Sequence, residues 1–238
     1  MAEKKQHTFV AAGGGTTEQN RKQAQPVGST GGLRAGAVIL WVLALVMELC
    51  AFLVLGGKLD LKILPGLYQL ILFLVLDLVL VIVAAQLWKK ANHIRPASEK
   101  NKATFWLWNN LGVIMAVICF LPLLVVLFTN KNLDKKTRIV AIVCAIIALL
   151  IGGLASYDFN PVSQEQLGAA VNALGNETVY WTQFGRVYHT HDDCQALNQT
   201  ETLTYGTVEE AIAANRVRLC SFCANRDNIQ GVATDENE

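Results

Sequence analysis

The residues with the clearest capacity for chemistry lie near the end of the chain, in VYHTHDDCQAL (Val187–Leu197) and LCSFC (Leu219–Cys223). Together they hold two histidines, His189 and His191, and three cysteines, Cys194, Cys220 and Cys223. An odd number of thiols leaves one over in any disulfide framework, which points instead to a fourth ligand of another type. A C-x-x-C turn puts two thiolates on one side of a loop, half of a tetrahedron, and a His–Cys pair supplies the other half. Zinc is the natural occupant, because three cysteines and one histidine form a common closed structural set. A closed set has no position for a substrate water, so a structural zinc ion is expected and hydrolysis at it is not. His189 is preferred as the fourth ligand and His191, in H-x-x-C spacing with Cys194, is the alternative. A thioredoxin-like redox pair would need a βαβ context that the sequence does not offer. A Cys220–Cys223 disulfide, or plain free thiols, are the other competing readings.

These residues need a small domain to position them. In PVSQEQLGAAVNALGN, Ser163 is followed three residues later by Gln166, which predicts a capped helix ending near Gly175. TVYWTQFGRVYHT reads as two β-rich runs around Gly185, a hairpin that leaves His189 at a strand end. Thr207 with Glu210 opens a second short helix reaching about Asn215, and the C-x-x-C turn follows. So small a domain, poor in large apolar residues, requires a staple, which bound metal supplies.

The rest of the chain is of another kind. It is 53% hydrophobic and 16% charged over 238 residues, a composition that suits a membrane protein carrying a soluble part. Four apolar runs, near residues 35–55, 67–88, 105–128 and 139–156, each approach the roughly 20 residues needed to cross a bilayer as a helix. They are apolar all round, as lipid-facing or bundle-interior helices are, and the short connections make neighbours antiparallel. Cys50, Cys119 and Cys144 lie singly in these runs and read as small buried hydrophobes. The fold class expected is an all-α four-helix transmembrane bundle followed by a small α+β zinc-binding domain. Its divisions are a disordered segment 1–34, the helical domain 35–156, a linker helix 157–177, the zinc domain 178–226 and a disordered acidic tail 227–238.

Charge is segregated along the chain. Residues 1–156 hold 16 Lys+Arg against 7 Asp+Glu, and residues 157–238 hold 4 against 12. An acidic tail argues against nucleic acid as a partner, since phosphate neutralisation needs clustered Lys and Arg. The partners expected are the lipid bilayer and a second copy or another protein. The N-terminal segment and second loop carry ten Lys+Arg together, against six for the first and third loops. By the positive-inside rule both termini are cytoplasmic, and a C-terminal domain outside the cytoplasm is the alternative orientation.

Two acids, Glu48 and Asp77, fall inside the apolar runs. In an antiparallel pair their depths differ by only about 3–5 Å at the helical rise of 1.5 Å per residue. A charge at that depth costs at least about 2–3 kcal/mol. A shared proton or bonds to Asn109 and Asn110 would relieve it. The functional reading is a proton or cation site in a small transporter or channel. The structural reading is a polar clamp between helices. Pro122 and the Gly152-Gly153 pair read as a kink and a close packing point.

With the residues in view, GRVYHTHDDCQAL and GTVEEAIAANRVRLCSFC resemble the small zinc module related to the metal-binding domain of the Ada DNA-repair protein. The likeness covers roughly residues 178–226. It implies His189, Cys194, Cys220 and Cys223 as zinc ligands, and a bacterial membrane protein. In the repair protein the first ligand is a cysteine that accepts a methyl group from a DNA phosphotriester. Here His189 stands at that position, and an imidazole cannot replace a zinc-activated thiolate, so the likeness implies a structural centre. The function expected is a non-enzymatic interaction, sensing or scaffold role.

Overall fold

The structure is a computed structural model that describes residues 7–12, 29–62, 64–130 and 133–235. It divides into two units, residues Gly31–Ala91 with Trp106–Phe159, and Met1–Thr30 with Asn92–Phe105 and Asn160–Glu238.

The first unit is helical. Four helices are long and apolar enough to cross a membrane: α1 (Thr30–Leu55), α2 (Gly66–Ile94), α4 (Leu111–Thr129) and α5 (Lys135–Ser156). The third apolar run is not one helix. It divides at Asn110 into a short α3 (Lys102–Asn109) and α4, and the Asn110 amide side chain donates to the Trp106 carbonyl. Small residues let the helices approach: Ala44 and Ala51 of α1, Ala116 of α4 and Ala141, Ala145 and Ala148 of α5 share one core with Leu70, Leu74 and Phe120. Gly112 is the closest approach, since a Cβ there would sit 2.9 Å from Ala85 Cβ and 3.3 Å from Ser156 Cβ. Gly152 is likewise a packing point, where a Cβ would meet Phe120 and Leu78, whereas Gly153 faces open space. At one end of this unit Trp41, Trp88 and Trp108 stack in sequence with ring centroids 5.4 and 5.2 Å apart. The Arg34 guanidinium lies over Trp88 and Trp108, a cation–π arrangement. Trp106 is exposed.

The second unit is built on a five-stranded sheet in the order β1-β4-β2-β3-β5, with β1 Thr8–Ala11, β2 Val179–Trp181, β3 Val187–His189, β4 Thr202–Gly206 and β5 Arg218–Leu219. The hairpin around Gly185 is β2 and β3, paired antiparallel. Arg216 holds its loop by donating to the carbonyls of Thr182 and Gln183. Both capping boxes are present, Ser163 with Gln166 at the start of α6 (Gln164–Leu174) and Thr207 with Glu210 at the start of α7 (Val208–Ala213). The last helix, α8, spans Ser221–Asp227.

Three of the expected divisions change. Residues 8–11 of the segment expected to be disordered form β1, because β4 offers an open edge to pair with, and residues 30–34 already belong to α1; residues 1–6 and 13–28 lie outside the described residues. The helix expected as a linker, α6, buries Ala170 and Leu174 in the core of the sheet domain with Val179, Trp181, Leu203 and Ile212. It also binds the second loop: Gln164 N–H donates to the Ala97 carbonyl at 3.0 Å, and Ser98 and the Glu99 amide both donate to the Glu165 carboxylate. Those two donors hold the Glu165 carboxyl below its usual range. The acidic tail is structured as far as residue 235. The Leu219 amide donates to the Ala233 carbonyl, and Asp235 accepts from the first amide of α8 at 2.7 Å.

Tyr188 is fully buried, and its hydroxyl has no hydrogen-bond partner among the described residues. An unsatisfied buried hydroxyl costs about 1–3 kcal/mol. Tyr188→Phe is therefore expected to leave the domain as stable as before or up to about 1 kcal/mol more stable, read by chemical denaturation. A clear loss of stability would mean that the hydroxyl has a partner in solution.

Candidate metal centre

His189 is the last residue of β3, and Cys220 follows β5 directly. These strands pair in parallel with Val187 opposite Arg218 and Tyr188 opposite Leu219. The same register carried one residue further sets His189 beside Cys220, and the Cys220 amide donates to the Tyr188 carbonyl at 2.9 Å. Cys194 closes the short loop after β3 and opens a turn of 3-10 helix, Gln195–Leu197. Cys223 lies in the first turn of α8, for which Cys220 is the N-cap. The C-x-x-C knuckle is thus the start of a helix.

The ligand atoms of His189, Cys194, Cys220 and Cys223 lie within 4.8 Å of one another. All four residues are buried, none more than 5% exposed. Cys194 Sγ is 3.9 Å from Cys220 Sγ, and Cys223 Sγ is 3.9 Å from His189 Nδ1. A tetrahedral centre with metal–sulfur bonds of about 2.3 Å has edges of about 3.8 Å, so these spacings suit one ion held by four donors. They are far too long for a disulfide, whose sulfurs lie about 2.05 Å apart, and the three cysteines are free. These four residues therefore lie close enough to bind a metal ion.

The surroundings support thiolate ligands. The Ala196 amide hydrogen-bonds Cys194, the Phe222 and Cys223 amides hydrogen-bond Cys220, and the His191 amide and Thr190 hydroxyl reach Cys223. Such donors orient ligands and spread their negative charge. The hydrogen bond from the Cys220 thiol, aided by the His189 ring, outweighs burial and pulls the Cys223 thiol down. The same bond, together with burial, pushes Cys220 up, and burial raises Cys194. A metal ion bound here would take the sulfurs as thiolates and release their remaining protons.

His191 is the sequence candidate left outside the cluster. Its Nε2 pairs with Asp227 Oδ1 at 2.6 Å on the surface, and Asp227 also accepts from the Thr190 hydroxyl. Burial alone would raise the Asp227 carboxyl, but Thr190 and His191 overcome it and hold the group below its usual range. With Arg226 paired to Asp193 at 2.7 Å, these contacts fasten the 190–193 loop to α8, which keeps Cys194 against Cys223. Asp193, Arg226 and Asp227 are the positioning residues that the sequence did not single out. The only signal available was Arg226 and Asp227 one turn past the knuckle.

Glu48 and Asp77 are buried in the helical unit, 6% and 2% exposed, and close enough to interact electrostatically. Glu48 accepts from the Leu123 amide, next to Pro122. Glu48 Oε1 and Asp77 Oδ1 have no hydrogen-bond partner among the described residues. Asn110, expected as a partner for them, turns to Trp106 instead.

Comparison with protein-family models, curated proteins and solved structures gave no match.

Proposed function

We propose that the chain is a multi-pass membrane protein whose second unit is stapled by a structural zinc ion and acts as an interaction, sensing or scaffold module rather than an enzyme. The observation that carries this reading is the set of four buried donors at tetrahedral spacing. Zinc fits three thiolates and an imidazole best, and such a set closes the coordination sphere. With no open position there is nowhere for a substrate to bind the ion. The likeness to the Ada-type module agrees with a structural centre.

The membrane assignment rests on the outer surface of the helices. Ile39, Val42, Leu49, Val125, Leu150 and Leu154 are among many large apolar side chains left exposed, far beyond what a water-soluble surface carries. The assembly of the second unit supports the orientation proposed, with both termini in the cytoplasm. The N-terminal strand, the second loop and the C-terminal segment all belong to it, so one face of the membrane would hold all three. That face carries the ten Lys+Arg against six and is the cytoplasmic one.

The experiment is elemental analysis of the purified full-length protein. About one zinc per chain is expected for a closed site of this kind. The full chain is needed because a fragment from residue 157 onward would lack β1 and the loop that α6 binds. A folded protein free of metal would overturn the reading.

The unpartnered oxygens of Glu48 and Asp77 favour a second reading, a small proton- or cation-linked transporter or channel using this pair. Intramembrane acids are uncommon outside such pathways. Loss of flux in Asp77→Asn at unchanged folded yield would support it, and loss of folded yield would make the pair a clamp.

A further inference from the structure

We propose that the outer edge of β4 is an exchangeable strand-docking site, and that the N-terminal strand of a second copy of this chain can occupy it in place of the chain's own. β1 lies at the end of the sheet with Thr8 opposite Thr202, Phe9 opposite Leu203, Val10 opposite Thr204 and Ala11 opposite Tyr205. It is held there mainly by its backbone. Thr8 N–H donates to the Glu201 carbonyl at 2.8 Å, Ala12 N–H donates to the Tyr205 carbonyl at 2.9 Å, and the His7 ring meets the Thr200 carbonyl at 2.9 Å.

Its side chains contribute little to holding it. Phe9 and Val10 are 46% and 48% exposed, and no residue of β1 belongs to the domain core. Phe9 makes an edge contact with the Tyr180 ring, 6.0 Å between centroids. Withdrawing β1 would leave that core whole and expose the β4 edge, with its unpaired N–H and C=O groups ready to accept another strand.

Covalent connectivity does not bind the strand to its own sheet. Between β1 and β4 the chain passes through all four long helices, so the pairing gains nothing from a short turn. Residues 13–29, which join β1 to α1, have a contour of up to about 60 Å at 3.3–3.6 Å per residue. A strand on such a tether makes the same hydrogen bonds with a neighbour's β4 as with its own. Exchange of an identical element is a low-cost route to a dimer. The site accepts an extended peptide in parallel register, and the second copy is the partner that already carries the matching sequence.

Two full-length copies with different affinity tags would be co-expressed, one carrying Val10→Cys and the other Thr204→Cys, and oxidised in the membrane. A disulfide-linked species bearing both tags is expected. Adding Thr8→Pro and Ala12→Pro to the Val10→Cys copy removes the amides that donate to Glu201 and Tyr205 and should abolish the link. Each single variant mixed with the unaltered chain shows whether native cysteines react. A double variant, Val10→Cys with Thr204→Cys in one chain, measures pairing in cis. A bridge in that chain with no mixed-tag species would overturn the proposal, making β1 a fixed part of its own domain. No bridge in either experiment would overturn it as well, because the pairing itself would be absent.

Discussion

Cys220→Ser is expected to strip the metal from the second unit and unfold it. A structural zinc site of this type contributes an apparent binding free energy of about 10–16 kcal/mol near neutral pH, and that energy is coupled to folding. A domain's whole stability is only about 5–15 kcal/mol, so losing the ion removes most or all of it. The consequence is strong here because the ligands are core residues. Cys194, Cys220 and Cys223 pack with Trp181, Tyr188, Leu197 and Leu219. A protonated or empty cluster would leave polar donors buried without partners. Elemental analysis should show the metal lost, and limited proteolysis should show new cleavage between Asn160 and residue 235 while the helical unit stays intact. A chelator should do the same to the unaltered protein. His189→Ala should behave like Cys220→Ser. His191→Ala removes only a surface pair with Asp227, worth about 0–1 kcal/mol, and should keep its metal. If His191→Ala lost the ion and His189→Ala kept it, the ligand assignment would be wrong.

Asp77→Leu is expected to make the helical unit more stable by about 2–3 kcal/mol, the cost of an acid at the centre of a membrane helix. Asp77 is 2% exposed and one of its oxygens has no partner among the described residues. Leucine has the same branched side-chain skeleton and carries no such penalty, and replacing buried polar groups by packed apolar ones is commonly neutral or stabilising. Thermal unfolding in detergent measures it. A stabilised variant would mean that the acid is retained for something other than folding, the pattern of a functional site. A destabilised one would mean that Asp77 joins α1 to α2, as the clamp reading requires.

These two predictions draw on very different amounts of information in the sequence. The long helices were legible because a bilayer-length apolar run is a property of composition, needing no knowledge of neighbours. The division of the third run at Asn110 was not, because its one sign is the Asn109-Asn110 pair, and two amides can also lie inside a continuous helix between apolar residues. The capping boxes at Ser163 and Thr207 were legible because each is closed by residues three apart. The seven residues of α8 were too few for a helical period to show, and a C-x-x-C pattern fits a turn as well as a helix start. β1 was hidden for another reason. Thr8, Phe9 and Val10 are good strand formers, but four residues in a segment rich in Gly, Thr and Gln are too few to show a pattern, and they are ordered by an edge nearly two hundred residues away.

The same division runs through the metal centre. By itself the sequence determined its chemistry: three thiols, an odd number, with histidine close by, are donors for a soft cation because of what sulfur and imidazole are. It favoured His189 and left His191 as the alternative, since both fit a loop of that length. The tertiary structure decided it through the parallel pairing of β3 with β5, which places His189 beside Cys220 and leaves His191 to Asp227 on the surface. Ligand type is a local property, written residue by residue. Ligand geometry depends on strand register between segments far apart in the chain, and that register is set by the burial of Tyr188 and Leu219 in a common core.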